Sequence, residues 1–487
     1  MLSINFGANS MQLRQGCIQK QPHVSLTKIS VSNAFFRFAL AIAVTGAAAQ
    51  LPARAQEQAK SADSFVDSIG IDQFQPDYDA SFFDTANAYG FRHVRAAILS
   101  FQAVNHAAIA SQAYSKYGIK LDAVVNQASS VSDNLSWLKN VNLSAVEAIE
   151  GPNEVDGGYG IGNTAAPIYQ SNLYNAVKGD SSLNSISVLN FTVINDYQTA
   201  SDANDYANVH LYGFEDSNNP FLPPAQSPYG TNAYGSIGFD ISKAESGIAN
   251  GAQKPVVFTE AGYFTSAGHS NQISRLDQAK YEPMLLATNF NRGVKRTYIY
   301  SLFDSSEGTD INNQPAGTAI KNLIATLSDS SWNPNTQTRN ISNFTPGQLD
   351  YIIQTSSGNI QHTLLQKQNG DFYLLLWNEV PVYDVRNGTG DINNTPVSVT
   401  LNFSTPLTNT ATVYTQNSDG TYSSSNADLS SGSLNVNVPD SVMLVRLSPA
   451  AAATMPLDRS SWTATASSNA GSGQMPAQAI DGNPSTR

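Results

Sequence analysis

Two glutamates in this sequence follow apolar runs that read as buried strands. Glu154 comes directly after the run that ends in "AIEGPN", and Glu260 lies in "VVFTEAG". Burial of a carboxylate is costly unless the charge has a partner or a chemical use. A facing pair of carboxylates can divide acid–base work, because one donates a proton to a leaving oxygen while the other attacks, or activates water. Hydrolysis of a glycosidic bond requires this division of roles.

The separation of the two carboxylates decides the stereochemical course of such a reaction. Retaining pairs stand about 5–5.5 Å apart and inverting pairs about 6.5–9.5 Å apart. The sequence alone leaves both courses open. Of the nearby carboxylates, Glu150 is predicted to be a hydrogen-bonding group in the interior, and Asp156 is predicted to be a loop carboxylate.

The elements that would position these glutamates alternate along the chain. Short β-branched runs predict eight strands, at 65–72, 91–98, 119–126, 146–154, 186–193, 206–213, 254–262 and 296–304. The segments between them have the apolar spacing of helices, for example at 104–118, 165–179 and 279–293. Eight strands with helical crossovers predict an α/β fold, a (β/α)8 TIM barrel, whose reacting groups stand at the C-terminal strand ends. A doubly wound open sheet is the alternative, although no GxGxxG phosphate loop follows the first strand.

The pattern changes to all-β after the predicted barrel, which we assign to residues 56–330. Short runs that alternate with a period of two, separated by Asn, Gly and Ser turns, predict an antiparallel β-sandwich domain over 331–448. A linker of small residues follows at 449–458.

The N-terminal segment 1–55 has the layout of a secretory signal peptide. It carries five basic and no acidic residues, and it ends in the apolar run "FALAIAVTGAAA" before "LPARAQ". The protein is therefore predicted to be secreted or periplasmic, with an N-terminal membrane anchor as the alternative. The single cysteine, Cys17, falls in this segment, which leaves the mature chain without disulfide or thiolate chemistry.

The net charge limits the classes of partner that the mature chain is expected to bind. Five of the 26 basic residues lie in the signal, which leaves 21 against 38 acidic residues. So acidic a chain disfavours nucleic acid and anionic membranes and is compatible with a neutral or cationic polymer. We expect no cofactor, no membrane span after signal removal, and a monomer. The six histidines include no pair at ligand spacing, which disfavours a metal-dependent hydrolase.

With these features together, the chain resembles the glycoside hydrolases of clan A, and within them the family 39-like members. Asn153-Glu154 at the end of the fourth strand and Glu260 at the end of the seventh carry the resemblance. It implies that Glu154 is the acid/base and Glu260 the nucleophile of a retaining TIM-barrel glycosidase. It also implies that Asn153 donates to the sugar 2-hydroxyl.

The same resemblance implies further substrate-binding residues. Arg95 would steady the ionised nucleophile, with Arg92 as its rival if the strand register differs. His210 and Tyr212, in "NVHLYG", would orient the nucleophile and the sugar. Where clan members carry a Trp at the end of strand eight, this sequence offers Tyr300 or Phe303.

The C-terminal residues 459–487 resemble the start of a discoidin-like (factor V/VIII type C) carbohydrate-binding module. "WTATASS" followed by "AIDGNPSTR" carries this resemblance. The sequence therefore predicts a secreted retaining glycoside hydrolase that cleaves β-glycosidic bonds of a polysaccharide or exopolysaccharide. The alternative is a catalytically silent carbohydrate-binding or matrix protein on a TIM-barrel scaffold.

Overall fold

The computed structural model describes residues 55–72, 79–158, 160–194, 202–212, 254–265, 272–303, 308–340, 344–384 and 390–450. The predicted signal peptide, apart from its last residue, lies outside the described residues. So do the predicted linker from residue 451 onward and the discoidin-like fragment at 459–487. Within the described part of the chain, no helix combines the length and the apolar character needed to cross a bilayer.

Two short strands begin the described chain, and eight parallel strands of a barrel follow. The first two are β1 (Ala55–Gln58) and β2 (Lys60–Ser61). The barrel strands are β3 (Ile69–Asp72), β4 (His93–Ala97), β5 (Lys120–Val124), β6 (Val146–Glu150), β7 (Ser187–Leu189), β8 (Ala207–Tyr212), β9 (Val256–Gly262) and β10 (Arg296–Tyr300). All eight predicted strands are thus present, although the first half of the predicted 65–72 strand is helical.

Seven α-helices are described, and most of them cross between barrel strands. They are α1 (Ala62–Asp67), α2 (Ala80–Tyr89), α3 (Val104–Tyr117), α4 (Val131–Leu138), α5 (Ala166–Gly179), α6 (Arg275–Asn291) and α7 (Pro315–Leu327). Local signals fix their ends. Asp79 caps α2 by accepting the Phe82 amide, and α3 ends at Gly118 in the left-handed conformation, where glycine is favoured.

The eight strands close on themselves in the order β7-β6-β5-β4-β3-β10-β9-β8. The two edge strands meet where Leu189 pairs with Tyr206 in a parallel bridge, and the Asn190 amide donates to the Tyr206 carbonyl at 3.1 Å. The fold is therefore the predicted (β/α)8 TIM barrel.

Alternation along the strands separates an apolar layer from a polar one. In β4, Val94 and Ala96 pack in the apolar core together with residues of the surrounding helices. Arg95 between them points to the other face, where it meets carboxylates of three other strands. The barrel interior therefore contains charged side chains, whose burial requires partners.

The second domain consists of two mainly antiparallel sheets, a hairpin and a short ribbon. The hairpin is β11 (Ser331–Asn333) with β12 (Thr338–Asn340), and the ribbon is β16 (Tyr383–Asp384) with β17 (Gly390–Asp391). The sheet strands are β13 (Gln348–Gln354), β14 (Ile360–Gln366), β15 (Phe372–Asn378), β18 (Val397–Phe403), β19 (Thr410–Gln416), β20 (Tyr422–Asp428), β21 (Ser433–Val438) and β22 (Met443–Leu447). The sheets run β1-β13-β18-β21 and β2-β14-β15-β22-β19-β20.

The second sheet packs on both faces. Along β15, Leu374 and Leu376 join the core between the two sheets, while Leu375 and Trp377 join the apolar core of the barrel helices. This alternation explains why "DFYLLLWNE" is apolar without interruption: the strand is buried on both sides.

The domain boundary at residue 56 needs correction. The sequence assigns everything from 56 to 330 to the barrel, but β1 pairs with β13 and β2 pairs with β14 of the sandwich. The two strands are too short to show periodicity, and their partners lie far away in sequence. The sandwich is thus built from both sides of the barrel sequence.

Candidate active site

The two glutamates stand at the C-terminal ends of two barrel strands, β6 and β9, which are separated by β7 and β8. Glu260 lies within β9, and Glu154 lies in the turn "GPNE" that follows β6. Glu260 is buried, with 7% of its surface exposed, whereas Glu154 is half-buried. Glu154 has a positive φ of 42°, a conformation that residues other than glycine rarely adopt.

His210 lies between the two carboxylates. Its Nδ1 is 2.9 Å from Oε1 of Glu154 and 3.4 Å from Oε2 of Glu260. Since both neighbours are carboxylate oxygens, Nδ1 is assigned as a proton donor. One oxygen of Glu154 and one of Glu260 lie within 4.8 Å of each other.

Arg95 supports the site from below and is fully buried. Its Nη1 donates to Oε1 of Glu260 at 2.6 Å and to Oδ2 of Asp72 at 2.8 Å. Its Nε and Nη2 donate to the two oxygens of Glu150 at 2.7 and 2.8 Å. One guanidinium therefore donates to three buried acidic side chains, an arrangement that fixes the side chain of Glu260 in place.

Asn153 is oriented by the same guanidinium. Nη2 of Arg95 donates to Oδ1 of Asn153 at 2.6 Å. Because a guanidinium only donates, the amide oxygen must face it, which directs the amide NH2 away from Arg95. Glu150, as expected, is a hydrogen-bonding group of the interior, and Thr259 also donates to it at 3.1 Å.

Tyr212 completes the surroundings of Glu260. Its hydroxyl donates to Oε2 of Glu260 at 2.6 Å. Burial, followed by the charge of Glu260, raises the pKa of Tyr212 well above its ordinary value, so that the hydroxyl stays protonated and donates. The Tyr212 ring stacks on Phe264 at 5.1 Å and meets the edge of Tyr300 at 6.5 Å between centroids.

Phe303, the other aromatic candidate, packs edge-on against Phe82 in the first turn of α2, and 39% of its surface is exposed. Arg92, the rival of Arg95, is not part of the cluster: it forms a buried ion pair with Asp63, at 2.7 and 2.9 Å. The strand register therefore gives Arg95, and not Arg92, contact with Glu260.

The proton affinities of Glu154 and His210 are linked. Burial raises the pKa of Glu154, but the hydrogen bond and charge of His210 outweigh burial, and the net pKa lies below the ordinary value. Burial lowers the pKa of His210, but the charge of Glu260 and the bond to Glu154 outweigh it, and the net pKa is raised. The pair thus shares a proton that sits toward His210 in the free site.

The spacing of Glu154, His210 and Glu260 would also suit a small cation. The Arg95 guanidinium, however, already places a positive charge 2.6 Å from Glu260. The chemistry described below therefore uses the side chains alone.

Sequence reasoning missed Asp72 and Thr192. Asp72 ends β3 in "IGID" and is fully buried, and a carboxylate at the end of a predicted strand is the same signal that marks Glu154 and Glu260. Thr192 follows the short strand β7, and its hydroxyl accepts the Glu154 amide at 2.9 Å. No sequence signal marks Thr192.

Comparison with known proteins concerns the fold. No family model and no curated protein sequence matches the chain. Among solved structures, it is similar to a glucosidase from Croceicoccus marinus, at 9% identity and a TM-score of 0.50, over 81% of this chain and 98% of that one.

Two other solved structures are more distant. The β-porphyranase of glycoside hydrolase family 86 from Bacteroides plebeius has 14% identity and a TM-score of 0.44, over 80% of this chain and 74% of that one. The catalytic domain of GH30 xylanase C from Talaromyces cellulolyticus has 12% identity and a TM-score of 0.43, over 81% and 98%. At 9% identity, the likeness to the glucosidase shows the fold alone.

Proposed function

We propose that this protein is a retaining glycoside hydrolase of clan A type that cleaves β-glycosidic bonds of a polysaccharide. The observation that carries the proposal is the pair of carboxylates at the barrel mouth, with one oxygen of Glu154 within 4.8 Å of one oxygen of Glu260. One pair of oxygens this close fits carboxyl groups about 5–5.5 Å apart, as in retaining enzymes, better than groups about 6.5–9.5 Å apart, as in inverting enzymes. The glycosidase fold of the structural neighbours is consistent with it.

Glu260 is the proposed nucleophile. Arg95 and Tyr212 both donate to it at 2.6 Å, which stabilises the ionised carboxylate and aims it. Its oxygen attacks the anomeric carbon and forms a covalent glycosyl-enzyme, while the bond to the leaving oxygen breaks.

Glu154 is the proposed acid/base. The leaving oxygen needs a proton as its bond to the sugar breaks, and the hydrogen bond between His210 and Glu154 is the nearest source of one. Passage of that proton to Glu154 and then to the leaving oxygen leaves Glu154 ionised. Glu154 then draws a proton from water, which attacks the glycosyl-enzyme and releases Glu260.

The surroundings of the two glutamates fit a sugar ring. The amide NH2 of Asn153 is directed away from Arg95 and is proposed to donate to the sugar 2-hydroxyl, a contact that strengthens in the transition state. Tyr300 is the proposed aromatic platform beneath the sugar because its ring adjoins Tyr212, with Phe303 as a further stacking surface.

Features of the sequence support the proposed substrate class and location. The net charge of −12 for the whole chain favours an uncharged or cationic polymer over an anionic one. We propose that segment 1–55 directs the protein out of the cytoplasm, to the periplasm or the medium. We also propose that the discoidin-like residues 459–487 belong to a carbohydrate-holding module, and that the enzyme acts as a monomer.

The test is activity on a panel of β-linked polysaccharides, followed by NMR of the first-formed anomer. We expect new reducing ends and a product with retained configuration. Glu260→Gln should abolish turnover while it leaves folding and polysaccharide binding intact. Glu57→Gln, in the sandwich strand β1, makes the same chemical change away from the site and should have normal activity.

Azide separates the two roles. In Glu260→Ala, azide can fill the vacated space and attack the anomeric carbon, which gives a glycosyl azide of inverted configuration. In Glu154→Ala, azide intercepts the glycosyl-enzyme and gives a glycosyl azide of retained configuration. An inverted hydrolysis product from the wild type, or normal turnover by Glu260→Gln, would exclude this mechanism. A silent carbohydrate-binding barrel would bind the polymer but yield neither product.

A further inference from the structure

The backbone of Glu154 is held in an unfavourable conformation. Its φ of 42° lies in the left-handed region, which costs a residue with a side chain about 1–3 kcal/mol unless the surroundings enforce it. Since Glu154 is not glycine, the turn "GPNE" must be held by contacts from outside it.

Thr192 supplies those contacts from the neighbouring segment. Its amide donates to the Pro152 carbonyl at 3.0 Å, and its carbonyl accepts the Val155 amide at 3.0 Å. Between these two bonds, its hydroxyl oxygen accepts the Glu154 amide at 2.9 Å. Thr192 has 1% of its surface exposed, so that water does not compete for these bonds.

Of these three hydrogen bonds, only the one to the hydroxyl oxygen depends on the side chain of Thr192. The two main-chain bonds would form with any residue other than proline at position 192, whereas the bond from the Glu154 amide needs a side-chain acceptor there. A second side chain also holds the turn: Nε2 of Gln127 donates to the Asn153 carbonyl at 2.8 Å. The Gln127 bond fixes the preceding residue, and the Thr192 hydroxyl fixes the residue that carries the carboxyl group.

We propose that Thr192 is a positioning residue for the acid/base, which holds the backbone of Glu154 so that its carboxyl group points at His210 and at the leaving oxygen. This inference rests on the proposed function. Displacement of a catalytic group by about 1 Å can lower a rate by about 100-fold. Loss of the hydroxyl should therefore affect the step in which Glu154 donates its proton.

The test compares Thr192→Val, which keeps the shape and removes the acceptor, with Thr192→Ser, which keeps the acceptor. The substrates are two aryl β-glycosides of the sugar found in the polysaccharide panel, one with a poor phenol leaving group and one with a 2,4-dinitrophenol leaving group. We expect Thr192→Val to lower the glycosylation rate at least tenfold with phenol and less than threefold with dinitrophenol, which needs no proton. Thr192→Ser should stay within threefold of wild type on both.

A purely structural role gives a different pattern. Equal loss on both leaving groups, or unchanged rates on both, would overturn the proposal. Thermal unfolding of each variant reports on folding, and if Thr192→Val does not fold, Thr192→Ala removes the acceptor without added bulk. Glu154→Ala distinguishes failure of the proposed function from failure of the proposed role of Thr192. If the rates of Glu154→Ala do not depend on the leaving group, the proposed function is wrong. If they do depend on it while those of Thr192→Val do not, only the role of Thr192 is wrong.

Discussion

Replacement of Asp72 by Asn should make the protein more resistant to alkaline conditions. Asp72 is fully buried at the end of β3, where Oδ2 accepts from Arg95, and within the described residues Oδ1 has no hydrogen-bond partner. Burial, opposed by Arg95 and reinforced by the charges of Glu260 and Glu150, raises the pKa of Asp72 to about 8. The raised pKa favours the protonated, uncharged form of Asp72 at neutral pH, and Asn mimics that form.

The sign and size of the effect follow from linkage. Between the ordinary pKa of 3.8 and the folded value of about 8, the folded chain holds a proton on Asp72 that the unfolded chain has lost. The contribution of Asp72 to the free energy of unfolding is fully present below about pH 4, and it falls by about 1.4 kcal/mol per pH unit as the pH rises toward 8. Over the whole range between these two pKa values, the loss in the free energy of unfolding has an upper bound of about 6 kcal/mol. Because Glu260 and Glu150 share Arg95 with Asp72, the three groups titrate together, and we expect the substitution to remove only part of this pH dependence.

The assay is thermal unfolding of wild type and Asp72→Asn at half-unit steps from pH 5 to 8.5. The Tm of the variant minus that of wild type should grow steadily with pH and be positive at pH 8. Asp133→Asn, which removes an exposed carboxylate from the first turn of α4, should show a difference that does not change with pH in this way. A difference for Asp72→Asn that stays constant or falls with pH would refute the reasoning, since it would mean that Asp72 is ionised in the folded protein.

Two further substitutions test other contacts. Tyr212→Phe removes the donor at 2.6 Å from Glu260, and because a hydrogen bond to a charged group contributes about 1.5–3 kcal/mol, kcat/KM should fall at least tenfold; an unchanged kcat/KM would contradict this role. Gly118→Ala should lower the Tm by several degrees, because Gly118 has a φ of 71° and a Cβ there would lie 2.4 Å from the Trp332 ring. An unchanged Tm would show that the contact between Gly118 and Trp332 can relax.

The barrel was predictable because strand and helix periodicity is strong in it. The runs around β8 and β9 are apolar and β-branched, and each is followed by a polar position at the barrel mouth, which is why Glu260, His210 and Tyr212 could be singled out before the structure. Counting eight strands then placed Glu154 and Glu260 at the same end of the barrel.

The missed features depend on contacts between distant segments. The hydroxyl of Thr192 matters because the chain passes beside the turn of Glu154, 38 residues earlier, and no local pattern encodes that approach. Asp72 was visible at a strand end, but its raised pKa arises from burial and from the charges of Glu260 and Glu150, which come from other strands. The sequence likewise gave no sign that β1 and β2 pair with the sandwich.

That pairing has a consequence for the order in which the chain folds. Ala55 of β1 is paired with Tyr351 of β13, so a strand made early in synthesis waits for a partner nearly 300 residues later. The barrel, whose neighbouring strands are mostly consecutive in sequence, can form in that interval, because domains generally fold as units during synthesis. β1 and β2 then pair with the sandwich strands in a late step of folding. A barrel expressed without residues 331–448 would leave both strands with unpaired edges, which are sites of aggregation.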